Sequence, residues 1–228
     1  MDFAVNYHRW ILERMRPFLG KHIVEVGAGA GSLSTLLLET RPQTLTALEP
    51  SANMYPLLLR KLTAIGNGRV TARQCTLVQA CGGPARSLQK TDSIVYINVL
   101  EHIEDDAAEL LAAHSALKPG GRVLIFAPAH RWLMGKLDRR VGHFRRYSIN
   151  ELTGKCRAAG FTIRLATHFD LLGIAPWWVK YRLFKSDSVE AGAVRLYDRC
   201  VVPIARIFER AINPPVGKNL IVVGEKSA

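Results

Sequence analysis

The chain has 228 residues, 48% of them hydrophobic and 22% charged, with a formal net charge of +12. Those proportions belong to an ordinary globular protein and exclude collagenous, low-complexity and disordered classes. Four scattered cysteines (Cys75, Cys81, Cys156 and Cys200) form no C-x-x-C pair, so neither a zinc site nor a disulfide framework is expected.

The elements follow in chain order. Residues 5–19 read as a helix, with Ile11, Leu12, Met15 and Leu19 at helical spacing. His22–Val26 is a short apolar strand, residues 27–31 a glycine loop, and 32–40 a helix stopped by Arg41-Pro42. Residues 45–49 form a second strand and 52–65 a second helix, closed by Gly66-Asn67-Gly68. A third strand covers 69–75, with an irregular Gly82-Gly83-Pro84 region behind it. The unbroken apolar run at 93–98 predicts a fourth strand buried on both faces. A helix at 105–117 ends in Lys118-Pro119-Gly120-Gly121 and leads to a fifth strand at 122–127.

After residue 130 the rhythm changes. Residues 131–147, rich in Arg, Gly and aromatics, read as a long functional loop. Ser148 and Glu151 make a capping box for a helix at 148–159, followed by strands at 161–169 and 219–225. The intervening residues hold two helices, near 175–186 and 189–212. Strand–helix alternation of this kind predicts an α/β fold: a seven-stranded, mostly parallel, doubly wound sheet with a helical insertion between strands six and seven. The expected organisation is a nucleotide-binding domain at 1–170 and 218–228, with 171–217 as an acceptor-lid subdomain.

Charge divides the same way. Residues 1–130 carry 13 Lys/Arg and 11 Asp/Glu, or +2, whereas 131–228 carry 18 and 8, or +10. The second half is therefore expected to meet something anionic. No basic-then-apolar segment opens the chain and no apolar run nears the ~20 residues of a membrane span, which points to a cytoplasmic protein.

The glycine loop carries the chemistry. Gly27-x-Gly29 is followed three residues later by Ser32 rather than glycine, so the G-x-G-x-x-G dinucleotide fingerprint fails. What stands there is E-x-G-x-G-x-G, from Glu25 to Gly31. This segment resembles the first motif of class I S-adenosylmethionine-dependent methyltransferases. The resemblance implies that Glu25, Gly27, Ala28, Gly29 and Gly31 cradle the donor, and that Glu49, with Pro50, binds the ribose hydroxyls at the end of strand two. Asn98-Val99-Leu100-Glu101-His102-Ile103 resembles the "VLEH" segment of small-molecule methyltransferases, which places Asn98, Val99 and Leu100 beside the donor. The family's usual acid after strand three is missing from Gln74-Cys75-Thr76-Leu77-Val78.

The acceptor belongs beyond the carboxyl ends of the strands. His102 stands there as a general base or as a histidine that orients the loop. Residues 135–148 resemble a G-x-x-D…G-H-x-R-R-Y-[ST] block of bacterial methyltransferases found with polysaccharide and glycolipid assembly enzymes. That implies His143 as a second base candidate and Arg139, Arg145, Arg146 and Tyr147, with Tyr7 of the first helix, as acceptor contacts. Paired guanidiniums suit a phosphate or carboxylate. Trp177-Trp178-Val179-Lys180-Tyr181-Arg182 suits a lid, a dimer contact or peripheral contact with the inner membrane face. The expectation is methyl transfer from S-adenosylmethionine to a small or lipid- or glycan-linked anionic acceptor, with no metal. A natural-product or quinone-like acceptor is the alternative. A nucleic-acid-binding or non-catalytic donor-binding protein is the reading from another class.

Overall fold

Seven strands are present: β1 (His22–Val26), β2 (Thr44–Leu48), β3 (Val70–Arg73), β4 (Thr91–Ile97), β5 (Leu117–Pro128), β6 (Phe161–Phe169) and β7 (Asn219–Lys226). They form one sheet in the order β3-β2-β1-β4-β5-β7-β6 in the computed structural model, which describes residues 4–65, 68–82, 88, 91–184, 186 and 190–227. Strands β3 to β5 pair in parallel, and β7 runs antiparallel between β5 and β6. This is the expected mostly parallel, doubly wound sheet.

Both faces of the central strands are buried, and alternation sorts their side chains. Ile94 and Tyr96 of β4, with Val123 and Ile125 of β5, join Leu110 and Ala113 of α5 (Asp106–Ala116) and Leu152 and Cys156 of α7 (Ile149–Ala158). On the other face, Val95, Leu124 and Phe126 meet Trp10, Ile11 and Met15 of α1 (Val5–Met15) and Leu37 of α2 (Ser32–Glu39). At about 1.5–3 kcal/mol for each buried large apolar side chain, these two layers hold the strand ends in register.

Several boundaries differ from the sequence expectation, each for a local reason. Pro17 ends α1 at Met15 and the chain continues as a 3₁₀ turn, Arg16–Phe18. Pro56 fits only the first turn of a helix, so α3 begins late (Tyr55–Ile65). Among the described residues strand β3 pairs only with β2, and it stops after four residues. A helix not anticipated, α4 (Leu77–Gly82), follows it. Thr76 Oγ1 accepts from the Gln79 N–H at 3.2 Å, and Gln79 Oε1 accepts from the Thr76 N–H at 2.9 Å, a reciprocal cap legible as T-x-x-Q. Gly66, Asn67, Gly83 and Pro84, read as breakers, lie outside the described residues.

Residues 131–147 are not an open loop. They contain a 3₁₀ turn at Arg131–Leu133 and α6 (Lys136–Arg140), and much of their polar chemistry points inward. The segment between β6 and β7 forms α8 (Ile174–Trp177), which widens into Trp178–Leu183. It then forms α9 (Ala191–Leu196), which continues through Tyr197–Val201 into α10 (Val202–Ala211). This second stretch lies along α1. Asp198 accepts from the N–H groups of Asn6 and Tyr7 at 3.2 and 2.8 Å, capping α1 from far along the chain. Glu209 likewise accepts from the N–H groups of Asp170 and Leu171, while Glu13 of α1 pairs with Arg206 and Arg210.

Candidate active site

The glycine loop joins β1 to α2 at the carboxyl edge of the sheet. Gly27, Gly29 and Gly31 all have positive φ (67°, 56° and 80°), a conformation that costs an L side chain about 1–2 kcal/mol. Gly27 also faces Val99: a Cβ there would lie 2.6 Å from Val99 Cγ2. The loop is therefore pressed against the segment after β4 and leads into the N-terminus of α2, the end of a helix whose N–H groups face outward to a ligand. Ala28 donates its N–H to Leu48 O at 3.0 Å, so loop and β2 move as a unit.

Two carboxylates flank this cradle. Glu49 is buried at the end of β2 and accepts from the N–H groups of Gly29 at 2.7 Å and Ser51 at 2.8 Å. Glu25 is buried at the end of β1 and accepts from Ser34 Oγ at 2.5 Å. Burial pushes the Glu25 carboxyl up to about 8, with the Glu49 charge adding to the rise and Ser34 opposing it. A ligand ammonium beside Glu25 would favour its ionised form. Pro50 is exposed beside Glu49. Asn98 has a φ of 53° and donates its N–H to Phe126 O, while the side chain of Leu100 points into the core. The residues expected to hold the donor thus converge on one edge, with Leu100 able to contribute only backbone.

Past β4, Leu100–His102 forms a 3₁₀ turn that brings His102 to the surface. His143 joins it, their rings meeting edge to face with centroids 4.6 Å apart. Burial and the His143 ring lower the His102 pKa, against an opposing hydrogen bond to the Gly142 backbone. Glu101 lies behind both histidines and is fully buried. Burial pushes its carboxyl up to about 8, opposed by its own N–H and by Arg146 and reinforced by Asp138.

The Arg-Arg-Tyr block differs from the expectation that it faces an acceptor. Arg146 is 1% exposed; its Nε and Nη2 both lie 2.8 Å from Asp138 Oδ1, and its Nη1 donates to Ala129 O. Asp138 also accepts from the Gly135 N–H and meets His143 Nδ1, each at 2.8 Å. Arg145 lies 2.7 Å from Asp106 Oδ2 and donates to the Glu104 carbonyl. Tyr147, fully buried, donates its hydroxyl to the same Asp106 oxygen at 2.8 Å, and Lys155 reaches Oδ1. Two buried acids therefore match these cations inside the protein and pin the 138–147 segment to the turn at His102. Arg139 remains exposed on α6.

Tyr7 enters a second polar cluster at this edge. Its hydroxyl donates to Asp170 Oδ2 at 2.9 Å and accepts from Asn219 Nδ2 at 2.7 Å. Asp170 also accepts from Tyr197 and pairs with Lys218 at 2.8 Å, whose ammonium lies over the rings of Tyr7, Trp177 and Tyr197. Sequence reasoning did not single out Asp170 or Lys218, because their partners come from α1, the insertion and β7. Locally, Lys218 and Asn219 are marked in the sequence by the Pro214-Pro215-Val216-Gly217 run that precedes them.

Comparison with known proteins agrees with this geometry. Residues 6–166 match the family described as a methyltransferase domain. A ubiquinone biosynthesis O-methyltransferase of Azotobacter vinelandii is 31% identical over 169 residues, covering 68% of this chain and 69% of that protein. The same enzyme of Pseudomonas paraeruginosa is 31% identical over 79% of both chains. Among solved structures, geranyl diphosphate methyltransferase in complex with its donor gives a TM-score of 0.67 at 14% identity, over 97% of this chain and 85% of that one. Haemonchus contortus phosphoethanolamine N-methyltransferase 2 gives 0.65 at 17%, over 98% and 53%. These structural likenesses show the fold.

Proposed function

Because the chain belongs to the methyltransferase-domain family and is a class I S-adenosylmethionine-dependent small-molecule methyltransferase, we propose that it transfers the methyl group to a hydroxyl oxygen of a small lipophilic acceptor. The observation that carries this reading is the His102–His143 pair at the lip beyond β4, with ring centroids 4.6 Å apart. A hydroxyl is a poor nucleophile until its proton is taken or weakened, and we assign that task to the histidine pair. The curated relatives are named as O-methyltransferases of ubiquinone biosynthesis.

Donor binding falls to the glycine loop, with Glu49 for the ribose and Glu25 for the ammonium. The acceptor oxygen then attacks the methyl carbon in line, and the C–S electron pair passes to sulfur. Catalysis is largely positioning. Asp138 and Asp106 already neutralise Arg146 and Arg145, so we assign those cations to holding the lip rather than to an anionic acceptor. We assign the Tyr7, Trp177 and Lys218 cluster to the acceptor side of the site. The test is methylation of a panel of phenolic and catecholic acceptors, with thiols and amines as controls. Turnover confined to hydroxyls, falling at least a hundredfold in His102→Ala with unchanged donor affinity, is the expected result. Transfer to amines alone would overturn the reading.

We also infer a peripheral membrane contact. Among the described residues no helix is long and apolar enough to cross a membrane, yet the outward face of α9 and α10 is apolar. Ile207 is 70% exposed and Phe208 62%, beside exposed Leu196 and Ile204, and Arg195, Arg199 and Arg210 flank them. Apolar side chains bordered by cations match an anionic lipid surface, from which a lipophilic acceptor would come.

A further inference from the structure

We infer that the stacked rings of His130 and His168 are a proton-sensitive clasp that positions Lys218: uncharged, they hold residues 214–217 against the sheet, and a charge on both releases them. The two imidazoles come from the strands that flank β7, His130 just after β5 and His168 near the end of β6. They lie face to face, with centroids 5.2 Å apart and planes 15° from parallel, and Trp132 stacks on His130 as well, at 5.5 Å and 28°. The His130 ring is hydrogen-bonded to the Gly217 backbone and the His168 ring to the Pro214 backbone. Both contacts favour the charged ring, so each is a ring N–H donating to a carbonyl. The pair thus grips both ends of Pro214-Pro215-Val216-Gly217.

What this run places is Lys218. Gly217 is pressed on β6, where a Cβ would lie 2.5 Å from both Phe169 N and Phe169 O. Lys218 then donates its N–H to Asp170 O at 3.0 Å and accepts from the Ala129 N–H at 2.9 Å. From there its ammonium reaches Asp170 and the rings of Tyr7, Trp177 and Tyr197. Movement of residues 214–217 carries the ammonium off those partners. The backbone of His130 cannot follow such a movement. Its N–H is held by Tyr147 O at 2.9 Å, and its φ of 62° is uncommon for a residue with a side chain.

Protons act on this stack in one direction. His130 Nε2 is buried without a partner, so the Gly217 bond falls to Nδ1, and a proton added at Nε2 finds no acceptor. Burial, His168 and Arg146 lower the His130 pKa, and burial lowers that of His168, against the two backbone bonds. The charged groups around the pair are Arg146, answered by Asp138; Lys218, answered by Asp170; and Arg131, answered by Glu151. Among the described residues no carboxylate pairs with either ring. With folded values below the ordinary 6.5, the clasp is complete above that pH and weakens as pH falls through them. Rings this close titrate as a pair, in two steps. The indole face of Trp132 attracts a cation and tolerates the first proton; the second sets two charges face to face. The consequence for the acceptor rests on the acceptor-side assignment above; the clasp itself does not.

The test titrates the full chain, carrying isotope-labelled histidine, by NMR between about pH 8 and about pH 5. His168→Gln and His130→Asn each keep an N–H for the carbonyl without titrating, and asparagine tolerates the left-handed backbone. The expected result is two steps below 6.5 in the parent. In either variant the remaining ring should titrate once, at least ~0.5 pH unit above the parent's lower step. Should His130→Asn not fold, His168→Gln decides alone. Over the same range, KM for catechol should rise about threefold or more below about pH 6, with donor affinity by calorimetry little changed, and should stay flat in the double variant. Steps at or above 6.5, or a step unmoved by loss of the neighbouring ring, overturn the clasp. An equal rise in KM in the double variant overturns its positioning of Lys218. Shifted steps without turnover of any hydroxyl acceptor leave the clasp standing and remove the hydroxyl-transfer reading.

Discussion

Replacing Arg146 with methionine separates a structural from an acceptor-binding guanidinium. Methionine keeps much of the stem's packing volume but removes the charge that Asp138 answers. Asp138 is fully buried, and breaking a buried pair by removing one partner costs about 3–5 kcal/mol. The Gly135 N–H and His143 remain on Asp138, which puts the loss near the lower end, about 3 kcal/mol. The freed Ala129 carbonyl adds to it. For a chain of this size that corresponds to a fall in Tm of roughly 6–12 °C. Urea unfolding followed by tryptophan fluorescence reads it directly, since the guanidinium lies 4.8 Å from the Trp177 ring centroid. Asp138→Asn combined with Arg146→Met should be less destabilised than the sum of the two single changes, because the uncompensated charge has gone. Arg146→Met within about 1 kcal/mol of the parent, with a raised acceptor KM and intact donor affinity, would refute the structural assignment.

Three further outcomes follow from the same geometry. Gly27→Ala meets both a φ of 67° and Val99 at 2.6 Å, so donor affinity measured by calorimetry should fall at least tenfold, with about 1–2 kcal/mol lost in stability; unchanged affinity would mean the loop is not the cradle. Glu25 has its carboxyl raised to about 8 by burial, so between its unfolded value near 4.5 and pH 8 the folded state holds a proton that the unfolded chain does not. Stability should therefore fall with rising pH across that window, by about 1.4 kcal/mol per unit from this group. Glu25→Gln should flatten the profile by that slope, and an identical profile would place the titration elsewhere. Ile207→Glu with Phe208→Glu should abolish co-sedimentation with phosphatidylserine vesicles at low salt while leaving Tm within a few degrees; equal binding by the double variant would remove the α10 surface from the contact.

The fold was legible because its signals are local. Apolar runs at β1, β4 and β5, glycines at the β1–α2 turn and the Pro-Gly-Gly near the start of β5 each report on their own neighbourhood. Much of the site was not. Arg145, Arg146 and Tyr147 read as anion ligands because a sequence displays cations without the acids that answer them. Asp106 lies forty residues earlier, and Asp138 is brought round by a single helical turn. The same blindness hid the opposite case. In the sequence Glu101 is one letter of the VLEH segment, with nothing to set it apart from Asp106, Asp138, Asp198 and Glu209, which each receive two or more donors. Among the described residues, Glu101 is the buried carboxylate with both oxygens left without a partner. Burying such a group uncompensated costs several kcal/mol, a large share of the 5–15 kcal/mol that holds a domain folded.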